Sequence, residues 1–375
     1  VPEPAEHKYL TEADAFYDVS RGNPKPFKLQ GDDLVKARLT PETWRLEIVS
    51  DGTTKIAQPR SLEDGTALDL PAILELGKTH GVKFLKAMQC LNIALPLGQG
   101  LWEGVPLREV LKLVGKINNA RRVYWWGFHN NEPKQVFQSS LSYSQIMDTP
   151  PGELPVFVAY RLNGQPISLK RGGPVRMIVP WTHGFKSIKW LQRITLTNDF
   201  KANDTYADVN NDPESYLKTM ARIDDFPESI REGEHATVSG VAVVGWPGLR
   251  RVEYWLRPEA GNHGNLQPED PAWQTAKWEP CRIDPAPTQW GGSLPKDVMP
   301  ADVWGFDPAT GQPRDWPMRY SLARWSTTLG GLKAGAYEFR VRTVDLNGYA
   351  QPEPRPIQQS GKNDIQSKTL LVTAR

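Results

Sequence analysis

The sequence predicts an α+β domain followed by an all-β sandwich, and three observations carry that prediction. Helical spacing of apolar residues is confined to the first third of the chain, where Leu107, Val110, Leu111 and Val114 stand at i, i+3, i+4 and i+7. Beyond about residue 226 the apolar residues alternate with polar ones instead, as in Tyr337, Phe339, Val341 and Thr343 against Glu338, Arg340 and Arg342. Proline makes up 33 of the 375 residues, well above the usual ~5%, and there are 14 tryptophans, which favours extended and irregular segments over a helical bundle. At roughly 150 residues per domain, the chain holds two or three domains.

In chain order, the apolar spacing predicts helices over 69–81 and 105–115, with Gly81 and Gly115 as stops. Extended runs at 154–162 and 174–180 alternate with Gly- and Pro-marked turns as far as about residue 200, completing the α+β domain. The stretch 198–234, rich in Asp, Asn and Glu, reads as the connection, so that the first domain covers 1–225 and the second 226–375. Strands expected at 235–245, 249–258, 320–327, 336–345 and 368–374, with one long insertion near 259–318, suit an immunoglobulin-like β-sandwich.

Several function classes drop out. With 45 Lys and Arg against 43 Asp and Glu, the formal charge of +2 gives no global reason to bind nucleic acid. No apolar window reaches the ~18 residues a membrane helix needs. The chain starts at Val1 without a charged-then-apolar leader, as expected if an export signal was removed or never encoded. The triplet Gly77-Lys78-Thr79 lacks the earlier glycine of a phosphate loop, since that position is Ala72. Gly98, Gly100 and Gly104 do not have dinucleotide-fingerprint spacing, and there is no G-x-S-x-G nucleophile elbow. The six histidines, at 7, 80, 129, 183, 235 and 263, form no zinc motif. Two cysteines, Cys90 and Cys281, cannot supply a c-type haem attachment or an iron–sulfur ligand set.

One electrostatic anomaly remains. From Leu154 to Asn198 there is no Asp or Glu, while Arg161, Lys170, Arg171, Arg176, Lys186, Lys189 and Arg193 carry seven positive charges. Glycines 172 and 173 beside these cations suit anion recognition, with backbone amides approaching closely and Arg176 offering a planar fork. The alternative is a solvated basic face that meets acids from elsewhere. Cys90, in the apolar run FLKAMQCLNIALPL, is either a small buried hydrophobe or a soft thiolate ligand for a transition metal. Cys281 reads as structural.

The segments MQC and WEGVPLREVL, then AYRLNGQPI and GGPVRMIVPWTHGFKSIKWLQRITL, resemble the molybdopterin-binding domain of the sulfite oxidase family. GVAVVGWPGLRRVEYWLRP and AGAYEFRVRTVDLNGYAQP resemble that family's C-terminal dimerisation domain. FYD near the start and PWTHGFKSIK are similar to the periplasmic branch that repairs methionine sulfoxide. The resemblance implies a sulfite-oxidase-like fold with a molybdenum–molybdopterin cofactor and no haem, flavin or iron–sulfur group in this chain. Cys90 would be the protein thiolate on molybdenum. Arg176 with Ser187, Ile188 and Lys189 would hold the pterin phosphate and polar rim, with Tyr17, Asp18 and Gly127 as further cofactor contacts. Arg171, where relatives carry His or Asn, is a further expected contact, and Tyr206 matches the family's active-site tyrosine. His183 and His129 are candidates for proton relay.

The resemblance also departs from the family at the substrate. Sulfite oxidases read a dianion with arginine forks, yet Cys90 is followed by Leu91, Asn92, Ile93, Ala94 and Leu95, and the N-terminal position holds Val19, with Arg21 two residues beyond. A less charged or partly apolar sulfur-oxo substrate is expected, because burying a dianion without paired cations is strongly unfavourable. The implied activity is two-electron oxygen-atom transfer, in either direction, with electrons exchanged with a separate c-type cytochrome or quinone-linked membrane subunit. A periplasmic homodimer is the implied setting. A binding protein that kept the fold without metal chemistry is the alternative from a different class.

Overall fold

The structure, a computed structural model, describes residues 9–93, 95–128, 137–202, 212–259, 266, 270–351 and 361–374. The helix Leu70–His80 begins where Asp69 accepts a hydrogen bond from the Ala72 amide at 2.9 Å, with Pro71 in its first turn, and it ends at Gly81 in extended backbone. The helix Leu107–Lys112 buries Leu107, Val110 and Leu111 on the face that the spacing predicts. No helix among the described residues is long and apolar enough to cross a membrane.

Two sheets build the first domain. One runs in the order Leu68–Asp69, Arg45–Ser50, Leu191–Thr197, Arg122–Gly127, Gln138–Ser142, with Arg45–Ser50 and Leu191–Thr197 parallel. The other runs Gln165–Pro166, Phe157–Leu162, Pro96–Pro106, Val82–Gln89, and Arg176–Ile178 also pairs with Phe157–Leu162. They share one core, in which Trp44, Trp102, Trp125, Phe84 and Phe157 are fully buried. Polar atoms in this core are paired: Trp44 Nε1 donates to the Leu191 carbonyl at 2.7 Å and Trp125 Nε1 to that of Lys186 at 2.9 Å.

The second domain is two facing sheets. Met220–Asp225, Ala236–Val243, Leu322–Leu329 and Arg282–Ile283 form one, and Ser229–Arg231, Gln366–Thr373, Gly335–Val344, Arg251–Pro258 and Glu279–Pro280 form the other. Alternate residues point inward from both, as period two requires, so that Val238 and Trp325 of one layer share a core with Phe339, Val341 and Leu370 of the other.

Two expectations need correction. Within the stretch read as a connection, 198–234, Met220–Asp225 and Ser229–Arg231 are strands, and Met220–Asp225 pairs with Ala236–Val243. In its run MARIDD only Ala221 to Asp224 alternate, too short a pattern to show beside the flanking acids and proline. The insertion near 259–318 stays with the sandwich only in part, where Glu279–Pro280 and Arg282–Ile283 add to its two sheets. Its 290–306 part returns to the first domain, where Trp290, Leu294, Val303 and Phe306 bury Leu85 and Leu101 on the outer face of the sheet that ends at Cys90. The domains are further joined by hydrogen bonds from the Ala87 amide to the Tyr320 carbonyl at 2.7 Å and from the Leu322 amide to Gln99 Oε1 at 2.7 Å.

Candidate active site

Cys90 is the first residue after strand Val82–Gln89. Met88 and Cys90, two apart on the strand, both reach a cavity of about 340 Å³. The turn that follows is pinned from behind by the fully buried Gln89, whose Nε2 donates to the carbonyls of Cys90 (3.2 Å) and Ile93. Of the expected site residues, Cys90, Tyr17, Arg171, Arg176, Ser187, Ile188 and Lys189 all line this one cavity. They arrive on four separate segments, and the fold brings them together.

One wall of the cavity is basic, and its side chains hold neighbouring segments together. Arg176, on strand Arg176–Ile178, donates from Nη1 to the Arg171 carbonyl at 2.7 Å and from Nη2 to the Ser187 carbonyl at 2.6 Å, and its guanidinium lies 5.1 Å from the ring centre of Trp102. Arg171 donates from Nη1 to the Phe16 carbonyl at 3.1 Å. Its Nε and Nη2, the two nitrogens of the side-on fork, are buried without a hydrogen-bond partner, as is Nε of Arg176. Lys189 Nζ donates to Ser20 Oγ at 2.6 Å, the Lys170 carbonyl at 3.1 Å and Asp18 Oδ1 at 3.3 Å. Ser187 Oγ accepts from the Val179 amide at 3.0 Å.

Crowding three cations in a buried site shifts their protonation. Burial, reinforced by Arg176 and Arg171 and opposed by Asp18, pushes Lys189 down to about 7. Burial, with Arg171 beside it, brings Arg176 down to about 9. Burial works against ionising Asp18, but hydrogen bonds from Lys25 and Ser20 and the charge of Lys189 outweigh it, and its carboxyl is held well below the usual range. Asp14 and Asp18 are the carboxylates that act on these cations, and Asp18 is shared with Lys25 at 2.7 Å, so the wall stays short of negative charge. Buried donors without acceptors are costly, so a phosphate or similar anion fits here and relieves both deficits.

Several expectations change in this light. The Gly172 and Gly173 amides do not face an anion, since they donate to the carbonyls of Leu169 at 3.1 Å and Ser168 at 3.0 Å. Gly172, at φ +96°, instead makes room for Lys189, whose Cβ would lie 2.5 Å from a methyl there. Gly127 and Asp18 are not in the cavity wall. Gly127 ends strand Arg122–Gly127, where a methyl would collide with the Lys189 carbonyl and approach that of Trp190 to 2.7 Å. Asp18 acts on Lys189 from behind. His183 is fully buried, outside the cavity lining, and packs against Gly361. Tyr206 and His129 lie outside the described residues.

Two wall residues, Phe16 and Trp102, have no counterpart in the sequence-based site. Phe16 and Trp102 supply ring faces under Arg171 and Arg176, at 5.9 and 5.1 Å; they sit inside the FYD and WEGVP segments, where a search for polar contacts passes over them. Arg21 lines the cavity with its guanidinium 4.7 Å from the ring centre of Phe137. Val19, Leu91, Ile93, Leu97 and Phe185 make much of the remaining wall apolar. Among the described residues no three His, Cys, Asp or Glu side chains gather into a metal site, so a metal at Cys90 would take its other ligands from a cofactor. Cys281 is buried in the sandwich core, where burial, with Glu253 nearby, pushes its thiol up to about 12, as suits an inert structural cysteine.

Residues 33–205 match the family model of the oxidoreductase molybdopterin-binding domain. This match, with sulfite oxidases and nitrate reductases among the relatives, supports a molybdopterin oxidoreductase of the sulfite oxidase type. Human mitochondrial sulfite oxidase is 25% identical over 182 residues, covering 46% of this chain and 32% of that protein. The NADPH nitrate reductase of Beauveria bassiana is 33% identical over 106 residues, covering 28% of this chain and 11% of that one. The chain therefore matches about a tenth to a third of the length of these curated relatives. In fold it is similar to the sulfane dehydrogenase SoxCD of Paracoccus pantotrophus, with a TM-score of 0.56 at 16% identity, over 92% of this chain and 83% of that one. The basic wall fits this match, because a molybdopterin carries a phosphate, the kind of group that suits the unpartnered nitrogens of Arg171 and Arg176.

Proposed function

We propose that this chain performs two-electron oxygen-atom transfer on a small sulfur-oxo substrate, with a molybdenum–molybdopterin cofactor in the cavity between Cys90 and the basic wall. One observation carries the reading: a cysteine and the unpartnered side-on edge of a buried arginine line the same cavity. When bound, the cofactor supplies a metal that changes oxidation state by two and exchanges an oxygen atom with substrate and water. Cys90 gives the metal its protein thiolate. Arg171, through Nε and Nη2, and Lys189 hold the phosphate, while Arg176, Ser187, Ile188 and Asp18 hold those groups in place. Tyr206 is assigned to hydrogen bonding with substrate, on the family resemblance.

The substrate follows from the rest of the wall. Arg21 is the cation that lines the cavity beside Val19, Leu91, Ile93, Phe137 and Phe185, so the cavity suits a molecule with no more than one negative charge and an apolar part. That favours an organic sulfur-oxo compound over a sulfite dianion and gives sulfoxide reduction a claim equal to sulfur oxidation. We assign 1–219 to the catalytic domain and 220–375 to an immunoglobulin-like domain, on the two facing sheets and the resemblance, with dimerisation as its role. A periplasmic setting and a separate electron carrier, a c-type cytochrome or quinone-linked membrane subunit, follow from the same resemblance.

Metal analysis of the purified native protein separates the classes. About one molybdenum per chain, released with a pterin phosphate, is expected for the enzyme; a folded, metal-free native protein would mean a binding function. Turnover with artificial electron donors and acceptors, on sulfite and on sulfoxides, then sets the direction.

A further inference from the structure

Two contacts reach the walls of the cavity from the far domain. Residues 361–364 lead into strand Gln366–Thr373, well outside the molybdopterin-binding stretch 33–205. The Lys362 amide donates to the Leu91 carbonyl at 3.0 Å, next to Cys90. Gly361 lies against the buried imidazole of His183, where an added methyl would overlap Nε2 and come within 3.1 Å of Cε1. His183 opens the turn Gly184–Lys186 that leads directly into Ser187, Ile188 and Lys189. One short piece of the second domain thus touches the cysteine wall at Leu91 and, at His183, the segment that leads into the cofactor wall.

That piece is anchored. Buried Gln351 donates from Nε2 to the Asp364 carbonyl at 2.8 Å, and its Oε1 accepts from the amides of Ala221 at 2.9 Å and Thr343 at 3.3 Å. Ala221 and Thr343 stand on strands of the two facing sheets, so a single side chain ties residue 364 to both layers. A segment fixed to a packed sandwich at one end and to two walls of a cleft at the other holds those walls at a set distance.

We propose that residues 361–364 are a strut through which the second domain fixes the spacing between Cys90 and the 183–189 wall, with Gly361 as a positioning residue acting through His183. Its consequence for cofactor binding rests on the reading of the cavity given above, whereas the effect on Cys90 does not.

The test compares two glycines in the full chain. Gly361, at φ +92°, meets His183, while Gly348, at φ +91° in the same domain, has nothing within 4 Å of a Cβ. Gly361→Ala and Gly348→Ala therefore carry the same backbone strain, and only the first carries the contact. Two quantities are read: molybdenum per chain as purified, and the rate of iodoacetamide alkylation at Cys90 in the cofactor-free chain, followed by peptide mass. Gly361→Ala is expected to change the Cys90 rate by between about two- and thirtyfold and to lower molybdenum retention, whereas Gly348→Ala leaves both within about twofold. Adding His183→Ala to Gly361→Ala removes the ring the methyl meets and is expected to return the Cys90 rate toward wild type.

Equal behaviour of the two glycine variants, or no recovery in the double variant, overturns the proposal. Should Gly361→Ala not fold, the double variant decides: a folded protein with a near-normal Cys90 rate supports the strut, and any other outcome refutes it. If no variant, nor the wild type, carries molybdenum while the Cys90 rates follow the expected pattern, the cofactor reading fails and the strut stands.

Discussion

Arg171 and Arg176 lie five residues apart and differ in what their guanidinium groups touch. Both terminal nitrogens of Arg176 are occupied by carbonyls of the two segments it joins, so its first effect is on the shape of the wall. Arg171 keeps its side-on edge for a ligand. Arg171→Lys preserves the charge but removes the planar fork, and a hydrogen bond to a charged group contributes about 1.5–3 kcal/mol. Cofactor retention is therefore expected to fall by about ten- to a hundredfold, with the thermal midpoint of the cofactor-free protein little changed. Molybdenum content after dialysis, set against differential scanning fluorimetry, checks this. Unchanged retention in Arg171→Lys would remove that residue from the phosphate site. The acid-free run and the family motif made these cations legible in the sequence, but not which of their nitrogens the backbone had already taken, because a carbonyl acceptor leaves no mark in residue type.

At the scale of elements, the site depends on how closely the 187–190 segment can approach strand Arg122–Gly127. Tryptophan follows lysine in that segment, and the strand ends in a glycine because the two backbones meet there. The obstacles to a methyl at Gly127 are carbonyl oxygens, which cannot rotate aside as a side chain would, so Gly127→Ala is expected to destabilise the protein by about 2–4 kcal/mol. It should also lower cofactor retention together with stability, unlike Arg171→Lys. Urea titration gives the first quantity and metal analysis the second; a variant with normal values of both would contradict the close approach. The sequence marks Gly127 through family resemblance, yet the reason differs from the expected one, since it clears space for Lys189 and does not itself line the cavity. Helices 70–80 and 107–112 were legible from spacing and stop signals. Met220–Asp225 was not, because its alternation is short and set in an acidic, proline-bounded stretch.

For the whole molecule, the interface between the domains buries an ionisable side chain. Lys86 is fully buried there, with the Thr182 carbonyl at 3.0 Å as its hydrogen-bond partner and the Tyr320 ring centre 6.0 Å away. Burial alone pushes it from 10.5 down to about 7. A lysine whose folded pKa lies below its unfolded value destabilises the fold while protonated. The penalty is complete below about pH 7 and is relieved as the pH rises toward 10.5, because the unfolded chain binds the extra proton over that window. Unfolding free energy from urea titrations is expected to gain from this group on the order of a few kcal/mol across the window, and Lys86→Met should flatten that rise. Equal slopes in wild type and Lys86→Met would contradict it. None of this was visible in the sequence, where Lys86 is one cation in an apolar run; its partners, Thr182 and Tyr320, come from about a hundred and more than two hundred residues away. The return of the 290–306 segment onto the first domain was hidden for the same reason.

The claim on which the account turns is that the sulfur of Cys90 binds molybdenum in the native protein. Molybdenum K-edge X-ray absorption on the purified wild type and on Cys90→Ser tests it most directly. The wild type is expected to hold metal with one more sulfur neighbour than the variant, which should stay folded and lose turnover. A folded native protein without molybdenum, or the same number of sulfur neighbours in both proteins, would contradict the account.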